Sequence, residues 1–235
     1  MEWMKIMNDG LIPYLLDYRL NGWILLGCIL LCIIPPYLLG SLNFAVILSH
    51  RFYGEDVRQK GSGNAGMTNM LRNYGKGAAA LTLLGDALKA VVSGVIGYAV
   101  FGVTGAYIAG LFCILGHMFP IYYHFKGGKG VVTTAVMILM LHPVIFLILL
   151  AIFLLVVLGT RFISLGSVMC VMIWPLILQR IEGSGAPVLM AMAIAALVVF
   201  MHRENIKRLL RGEENKISLG KKKKETAEKE DGTDE

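Results

Sequence analysis

Residues 130 to 160 read GVVTTAVMILMLHPVIFLILLAIFLLVVLGT, an uncharged run that decides how the chain is arranged. A helix needs roughly 20 apolar residues to cross a hydrocarbon core of about 30 Å. The run is therefore long for one such helix and short for two, but His142 and Pro143 offer a natural helix break near its middle. Two helical segments return the chain to the side on which the run began, whereas one segment leaves it on the other side.

The rest of the chain has the same apolar character. Further uncharged stretches run from Leu20 to His50, Ala90 to Phe125, Phe162 to Gln179 and Gly183 to His202, apart from the few polar residues at their ends. The whole sequence is 56% hydrophobic and 16% charged, with a mean hydropathy of +0.66, which excludes a soluble globular domain. Such long unbroken runs also disfavour a β-barrel, whose strands alternate in polarity. The sequence predicts an all-α, polytopic membrane protein.

Seven transmembrane segments are expected if residues 130 to 160 form two helices. The predicted segments are Trp23–Leu48, Gly77–Phe101, Gly105–Tyr122, Gly130–Leu141, Val144–Gly159, Ser164–Gln179 and Ala186–Phe200.

The distribution of charge favours this arrangement over six segments. With seven, most of the 22 Lys and Arg residues lie on one membrane face, whereas a single helix at residues 130 to 160 would move the basic C-terminal cluster across. Because positive loops stay in the cytosol, we expect the N-terminus outside and the C-terminus in the cytosol. This arrangement also places three polar runs, at residues 58–72, 125–130 and 202–208, on the cytosolic face.

The two ends of the chain are expected to differ from this membrane domain. Residues 1–22 are predicted to be an extracytoplasmic extension, and residues 23–217 the seven-helix domain. Residues 218–235, with four consecutive lysines and then mostly acidic residues, are predicted to be a disordered charged cytosolic tail. A lysine run beside a membrane typically anchors topology and attracts anionic lipid. A nucleic-acid partner is not expected, since there is no soluble domain to present a basic surface.

The first polar run, RQKGSGNAGMTNMLR at residues 58–72, has the composition of a phosphate-binding loop. Glycines allow a backbone to turn its N–H groups towards an anion, and a following helix N-terminus adds to the site. The alternative is a flexible connection with helix caps. The candidate ligands are Gly61, Ser62, Gly63, Asn64, Gly66, Thr68, Asn69 and Arg72.

The second polar run, FKGGKG at residues 125–130, is expected to be a second anion-binding nest. Its lysines flank a glycine pair directly before a helix, although it is not a Walker A sequence. The candidates are Lys126, Gly127, Gly128, Lys129 and Gly130. Upstream, His117 lies near the end of a predicted span, and a ligand role and a purely structural hydrogen bond remain equally open for it.

The third polar run places His202 and Asn205 three residues apart on one helical face. Its basic residues Arg203, Lys207 and Arg208 are expected to face lipid headgroups. Within an apolar span, Asp86 and Lys89 are also three residues apart, so either mutual pairing or function could explain them. Three more candidates reach the cytosolic ends of their helices, namely Arg161, Ser164 and Ser167.

Together the three runs resemble the integral-membrane, acyl-phosphate-dependent glycerol-3-phosphate acyltransferases of bacteria. The similarity covers roughly Tyr37 to Ile217 and rests on the motifs GSGNxGxTNxLR, GHxFPxxxxFKGGKG and HxxNIxRLxxGxExK, the last of which adds Glu214 as a supporting residue. Met67 and Val132 stand where that family usually has alanine. The resemblance implies a seven-helix enzyme of the bacterial inner (plasma) membrane with its active site at the cytosolic face.

The resemblance also implies the reaction, which is transfer of a fatty acyl group from acyl phosphate to the sn-1 hydroxyl of glycerol 3-phosphate. The products would be 1-acylglycerol 3-phosphate (lysophosphatidate) and phosphate. The expected partners are the two substrates, membrane lipid and a soluble enzyme that forms the acyl phosphate. An activated donor needs no ATP, coenzyme A or metal site, and no cofactor is predicted. The rival interpretation is a transporter of a phosphorylated metabolite, which should place its binding groups near the membrane midplane.

Roles within the site follow from the charges of the substrates. Ser62, Arg72 and Lys129 are expected to contact the glycerol 3-phosphate anion, while Asn64 and the neighbouring glycines stabilise the departing phosphate. His202 and Asn205 are expected to orient the attacking hydroxyl. The base that takes its proton is either His202 or an oxygen of the acyl phosphate, and we favour the second because cationic neighbours disfavour a protonated imidazole.

Overall fold

The computed structural model describes residues 8–19 and 21–217, and these residues form an all-helical protein. Two 3-10 turns are also present: Val57–Gln59 at the start of the first polar run and Ile121–Tyr123 just before the second. The α-helices of the described residues are α1 (Leu11–Leu15), α2 (Gly22–Ser41), α3 (Phe44–Tyr53), α4 (Met67–Met118), α5 (Val131–Leu141), α6 (Pro143–Thr160), α7 (Ile163–Glu182), α8 (Ala186–Met201) and α9 (Arg203–Leu210).

Helix α4 is not straight, because non-helical residues divide it into three pieces. Gly75 (φ 86°, ψ −172°) separates a short first piece, and Phe101 with Gly102 (φ 55°) reverses the chain between residues 76–100 and 103–118. These two long arms run antiparallel in close contact: a Cβ added to Gly97 would lie 2.2 Å from the carbonyl oxygen of Gly105. Small residues permit such backbone contact between membrane helices. The arms correspond to the second and third predicted segments.

The predicted break in residues 130–160 is present at His142, between α5 and α6. His142 has non-helical angles (φ −141°, ψ 73°), and Pro143 occupies the first turn of α6, where its missing N–H costs nothing. The 11 residues of α5 extend about 16 Å, roughly half the thickness of a hydrocarbon core.

Each of the seven predicted segments contains helix, but the first, Trp23–Leu48, is interrupted at Leu42 and Asn43 between α2 and α3. Fewer helices are long and apolar enough to cross a bilayer. Within the described residues four qualify, or five if α8 and α9, which meet at a 60° bend, form one span. Three features lower the number from seven to four. The two arms of α4 form one continuous helical stretch, α5 is too short to cross alone, and α8, with 16 residues, is also short unless it is joined to α9.

Successive helices nevertheless alternate between two ends of the bundle. At one end, the hydroxyl oxygen of Tyr107 lies 2.6 Å from His142 Nε2, which is 3.3 Å from Glu182 Oε1. At the other end, Arg58 Nη1 donates to the carbonyl of Lys126 across 3.0 Å, which joins the first and second polar runs. We call this second end the polar end. All three polar runs lie there.

Two clusters of buried apolar side chains hold the helices together. The largest buried cluster joins α4 to α8 and includes Trp174 and Ile194, both fully buried. A smaller cluster of Cys28, Cys32 and Val100 joins α2 to the chain reversal in α4, and α1 packs beside it. Part of the predicted N-terminal extension therefore packs against the bundle. Residues 1–7 and the predicted tail 218–235 lie outside the described residues.

Candidate active site

A cavity of about 490 Å³ opens at the polar end and has two chemically different walls. One wall consists of hydrocarbon side chains of α4, α5 and α6, including Leu83, Ala87, Val136, Leu139, Phe146 and Leu150. The other wall carries most of the predicted catalytic and binding residues, namely Ser62, Asn64, Gly66, Thr68, Asn69, Arg72, Lys129, Gly130, Ser164, His202, Asn205 and Glu214. The three polar runs therefore contribute to one site.

Asn69 organises the first polar run. Its Nδ2 donates to the carbonyls of Val57 and Lys60, both at 3.0 Å, and its Oδ1 accepts the amide of Ser62 at 3.1 Å. The residue is only 1% exposed. The polar atoms of this predicted substrate ligand are thus committed to the loop, where they hold Ser62 at the cavity wall.

The glycines of this loop shape it rather than forming the predicted nest. Gly61 (φ 55°) and Gly63 (φ 69°) adopt left-handed backbone angles. Neither glycine is among the described residues that line the cavity. The amides of Gly63 and Gly66 donate to the carbonyls of Lys60 and Asn64, at 3.0 and 3.1 Å. The backbone groups available to an anion belong instead to the start of α4.

Helix α4 begins at the cavity without a side-chain cap. Its N-cap residue is Gly66, which has no side chain, and Met67 and Thr68 of the first turn line the cavity. First-turn amides have no partner within their own helix, and the helix dipole makes this end attractive to anions. The expectation of a helix N-terminus beside the loop is therefore confirmed in its placement.

The second polar run also differs from the predicted nest. The amides of Gly127 and Gly128 donate to the carbonyls of Met118 and His117, at 3.2 and 3.0 Å, so they turn away from the cavity. A Cβ on Gly128 would lie 2.1 Å from His117 Nε2. These glycines are required for close packing. Lys126 is exposed outside the cavity, whereas Lys129 and Gly130 line it.

Lys129 is held by a chain of polar contacts that reaches the C-terminal segment. Its Nζ donates to Asn205 Oδ1, and Asn205 Nδ2 donates to Glu214 Oε1 at 2.7 Å. Glu214 also accepts hydrogen bonds from Ser164 Oγ at 3.0 Å and from Arg208 Nε at 2.9 Å. Arg208 thus belongs to this network, in contrast to its predicted position among lipid headgroups.

The environment of this network sets the charges of its members. Burial lowers the pKa of Lys129 to about 8, an effect that the Glu214 carboxylate opposes and that Arg208 and Arg72 reinforce. Burial alone would raise the pKa of Glu214, but hydrogen bonds from Asn205, Arg208 and Ser164 outweigh it and hold the pKa below its usual value. At neutral pH the cavity therefore contains a mostly protonated lysine supported by a carboxylate.

His202 lies at the bend between α8 and α9 and is 2% exposed. Its Nδ1 is 2.8 Å from the carbonyl oxygen of Val198, so this nitrogen carries the proton and Nε2 carries the lone pair. Burial, followed by the charge of Lys129, lowers the pKa of His202 to about 4. The imidazole is neutral at physiological pH and can accept a hydrogen bond at Nε2.

Asp86, Lys89 and His117 form a buried cluster at the base of the cavity. Lys89 Nζ lies 2.8 Å from Asp86 Oδ1 and 2.9 Å from His117 Nδ1. It also donates to the carbonyls of Gly40 and Leu42, at 2.9 and 2.7 Å. Asp86 and His117 line the cavity, whereas Lys89 ties the end of α2 to both arms of α4.

Two further predicted binding residues, Arg161 and Ser167, also lie away from the cavity. Arg161 is exposed, and its carbonyl accepts the amide of Ile217 at 2.9 Å, which anchors the segment that carries Glu214. Ser167 donates to the carbonyl of Ile163 at 3.0 Å and lines a separate apolar pocket. Neither residue contributes a side chain to the lining of the cavity.

Sequence analysis missed two residues that shape the site. Asn43 caps α3 by accepting the amide of Val46, and its Nδ2 donates to the carbonyl of Ala65 at 3.3 Å. Arg58 joins the first two polar runs through the carbonyls of Tyr123 and Lys126. Asn43 had a local signal, an asparagine in front of a helical stretch, whereas the contacts of Arg58 are entirely long-range.

The fold and the site define a class of protein: a multi-pass membrane protein whose cavity combines a wall of cationic, hydroxyl and amide groups with a hydrocarbon wall. Comparison with known proteins specifies the family. Residues 30–212 match the family model described as glycerol-3-phosphate acyltransferase. The glycerol-3-phosphate acyltransferase of Syntrophomonas wolfei is 42% identical over 182 residues, covering 77% of this chain and 93% of that protein. That of Clostridioides difficile is 41% identical over 196 residues, covering 81% and 95%.

Solved structures agree with the sequence comparison. The crystal structure of PlsY (YgiH), an integral membrane glycerol 3-phosphate acyltransferase, in its glycerol 3-phosphate form is 35% identical with a TM-score of 0.75. The match covers 82% of this chain and 96% of the PlsY chain. The lysophosphatidic acid form of PlsY has 33% sequence identity and a TM-score of 0.73, with the same coverage. This chain belongs to the glycerol-3-phosphate acyltransferase family. It is an acyltransferase of phospholipid synthesis, and the enzyme interpretation is confirmed over the transporter.

Proposed function

We propose that this enzyme transfers a fatty acyl group from acyl phosphate to the sn-1 hydroxyl of glycerol 3-phosphate. The products are 1-acylglycerol 3-phosphate and phosphate. The observation that carries the proposal is the cavity itself, in which cationic and hydroxyl groups face a wall of hydrocarbon side chains. Glycerol 3-phosphate is a small anion, which suits the wall of cationic and hydroxyl groups. Acyl phosphate joins a phosphate to a hydrocarbon chain, so it can contact both walls.

The glycerol 3-phosphate anion is assigned to Ser62, Arg72 and Lys129, which combine one hydroxyl with two cations. The guanidinium of Arg72 donates to the carbonyl of Asn215 at 3.3 Å and is otherwise at the cavity wall. Charge-assisted hydrogen bonds of this kind contribute about 1.5–3 kcal/mol each. The related PlsY structure in its glycerol 3-phosphate form supports an anion of this kind as the ligand.

The phosphate of the donor is assigned to the start of α4. Met67 and Thr68 of the first turn line the cavity together with Asn64, and we assign their amides and the Asn64 side chain to the charge that a leaving phosphate would gain. Pre-oriented dipoles at such a position stabilise a transition state without having to reorganise. This assignment replaces the glycine amides of the first loop, which are engaged within the loop.

The chemical step is a direct acyl transfer. The sn-1 oxygen attacks the acyl carbonyl, a new carbon–oxygen ester bond forms, and the bond from that carbon to the phosphate oxygen breaks. The hydroxyl proton leaves with the phosphate, whose oxygen is the base. Before the attack, the sn-1 hydroxyl donates its hydrogen bond to His202 Nε2, which orients its oxygen, while Asn205 holds Lys129 in place. As the oxygen attacks, its hydrogen turns from Nε2 to the phosphate oxygen, and His202 stays neutral. A neutral imidazole with a pKa of about 4 is a weak base at physiological pH.

The polar end is assigned to the cytosolic face of the bacterial inner membrane. Residues 58–72, 125–130 and 202–211 are rich in Lys and Arg and lie at this end, and basic loops stay in the cytosol. Leu83 and Leu139 of the hydrocarbon wall are 42% and 43% exposed, so the cavity opens sideways towards the lipid. A product with one acyl chain can leave through this opening into the membrane.

The test is a purified-enzyme assay with labelled glycerol 3-phosphate. Acyl phosphate is compared with acyl-coenzyme A and with acyl carrier protein thioester as donors, and the lipid product and free phosphate are measured. We expect equal amounts of lysophosphatidate and phosphate with acyl phosphate alone. Efficient use of either thioester without acyl phosphate would contradict the proposed donor. A lipid product that carries the acyl group on the sn-2 hydroxyl would contradict the proposed acceptor hydroxyl.

A further inference from the structure

A second, smaller cavity of about 140 Å³ lies between α5, α6 and α7. We call it the chain pocket. Its lining is hydrocarbon except for Thr134, Ser167 and the thiol of Cys170. Ser167 is already bonded to a backbone carbonyl, and Cys170 Sγ lies 3.2 Å from the carbonyl of Leu149. Among these three residues, only the Thr134 hydroxyl has no hydrogen-bond partner within the described residues, so the pocket offers a single group to a polar ligand.

The chain pocket adjoins the active-site cavity. The two share five wall residues, which are Val131, Ala135, Phe146, Leu150 and Phe153. Along α5, Val131, Ala135 and Ile138 are spaced as neighbours on one helical face, and they lead from the shared wall to the pocket's inner end. The inner end is closed by Ile138, Leu149 and Val171, each at most 5% exposed.

From this shared hydrocarbon wall we infer that the chain pocket receives the distal end of the donor's acyl chain and sets the preferred chain length. The inference rests on the proposed function, because it presumes an acyl phosphate whose head lies at the start of α4. An apolar cavity of about 150 Å³ stays dry and accepts a benzene-sized ligand. The chain pocket is of that size and accommodates about six carbons.

The pocket's position separates two parts of the donor energetically. The phosphate head and the first carbons of the donor contact the larger cavity. A short acyl chain therefore gains all its binding free energy there and none in the chain pocket. Each methylene buried in the pocket strengthens binding by about fourfold. A side chain that fills the pocket should therefore penalise long donors and spare short ones.

The experiment compares Cys170→Phe with Met169→Phe, using palmitoyl phosphate and octanoyl phosphate as donors. Cys170 lines the pocket, whereas its neighbour Met169 is 38% exposed and lines neither cavity. For Cys170→Phe we expect kcat/KM to fall by about tenfold or more with the palmitoyl donor, and by less than about twofold with the octanoyl donor. Met169→Phe should leave both values unchanged. An unchanged ratio between the donors in an active Cys170→Phe enzyme overturns the inference.

A second variant decides the case in which Cys170→Phe does not fold. Ile138→Ala enlarges the inner end of the pocket, so the ratio of stearoyl to palmitoyl phosphate in kcat/KM should rise about threefold or more. A constant ratio overturns the inference. Thr134 is 1% exposed and its hydroxyl has no hydrogen-bond partner among the described residues, so Thr134→Val serves as an isosteric control. It should keep the long-chain preference; its selective loss would indicate a polar occupant and overturn the inference.

Failure of the proposed function gives a different result. If the wild-type enzyme uses neither palmitoyl nor octanoyl phosphate but accepts a thioester, the donor assignment is wrong. If it uses both phosphates and the variants keep the wild-type chain-length profile, only the role of the chain pocket is wrong.

Discussion

His202 Nδ1 lies 2.8 Å from the carbonyl oxygen of Val198, one helical turn earlier. This contact fixes the tautomer, because a carbonyl can only accept, and it leaves the Nε2 lone pair for the cavity. Burial and the nearby Lys129 make the protonated form costly, so the pKa of His202 falls to about 4. A group with these properties is well suited to orient a hydroxyl and poorly suited to remove its proton.

The first prediction concerns the pH dependence of His202→Gln. We expect the variant to retain measurable turnover, and neither enzyme to show a histidine-dependent rate limb near the usual pKa of about 6.5. A phosphate ester itself titrates near pH 6, so a limb that persists in His202→Gln belongs to the substrate. The measurement is kcat against pH for both enzymes. If a limb is present only in the wild type and the variant binds glycerol 3-phosphate but is inactive, His202 is the base.

The second prediction concerns Arg72, which lines the cavity and whose guanidinium, among the described residues, donates a hydrogen bond only to the carbonyl of Asn215. Arg72→Ala should raise the apparent KM for glycerol 3-phosphate by roughly tenfold or more, since one charge-assisted contact is lost. Arg203→Ala is the matched control, because Arg203 lies on the surface over the ring of Phe200. Equal KM values for wild type and a folded Arg72→Ala enzyme would exclude Arg72 from the substrate site.

Two of the helix breaks could be predicted from sequence because their causes are local. Pro143 begins a new helix, and the chain reverses at Gly102, between the end of the predicted second segment and the start of the third. The break at Leu42 and Asn43, inside the predicted segment Trp23–Leu48, was not predicted. The number of spanning helices could not be predicted as reliably. Whether a stretch as short as α5 crosses a bilayer depends on its tilt and on its partners, which composition does not contain.

The sequence predicts most of the residues that form the candidate site, but not the contacts that each of them makes. A glycine that admits an anion and a glycine that admits a neighbouring backbone look identical in a sequence, so Gly127 and Gly128 were assigned to a nest. In the structure their amides bond the carbonyls of Met118 and His117. The link from Lys129 to Asn205 joins residues far apart in the chain, and no local pattern could indicate it.

The third prediction follows from that close packing. Gly128→Ala would place a methyl group 2.1 Å from His117 Nε2 and 2.7 Å from the carbonyl oxygen of Ala65. The loop must shift, at a cost of about 1–3 kcal/mol, and Lys129 must move with it. We expect a lower melting temperature in detergent and a large loss of activity. Gly77→Ala, with open space around its Cβ, is the control. Wild-type activity in Gly128→Ala would show that the loop tolerates this displacement.

The fourth prediction concerns orientation in the membrane. Lys126 and Arg211 are exposed at the polar end, and Ser184 is exposed beside Glu182 at the opposite end. Single cysteines at Lys126 and Arg211 should react with an impermeant thiol reagent only from the cytosolic side, and a cysteine at Ser184 only from outside. Labelling of Lys126→Cys and Arg211→Cys from opposite faces would contradict an even number of crossings between them.

The last prediction concerns the alkaline limb of the rate profile, which we assign to Lys129. Burial lowers its pKa to about 8, so the charge that attracts glycerol 3-phosphate is present below that pH and is lost as the pH rises through it. The KM for glycerol 3-phosphate should therefore increase above about pH 8 in the wild type. Arginine stays protonated, so in Lys129→Arg this limb should disappear.

Glu214 favours the charged lysine, and Glu214→Gln should move the limb to lower pH. Lys126→Arg, at an exposed position, is the control and should leave the profile unchanged. Persistence of the wild-type limb in an active Lys129→Arg enzyme would assign it to another group.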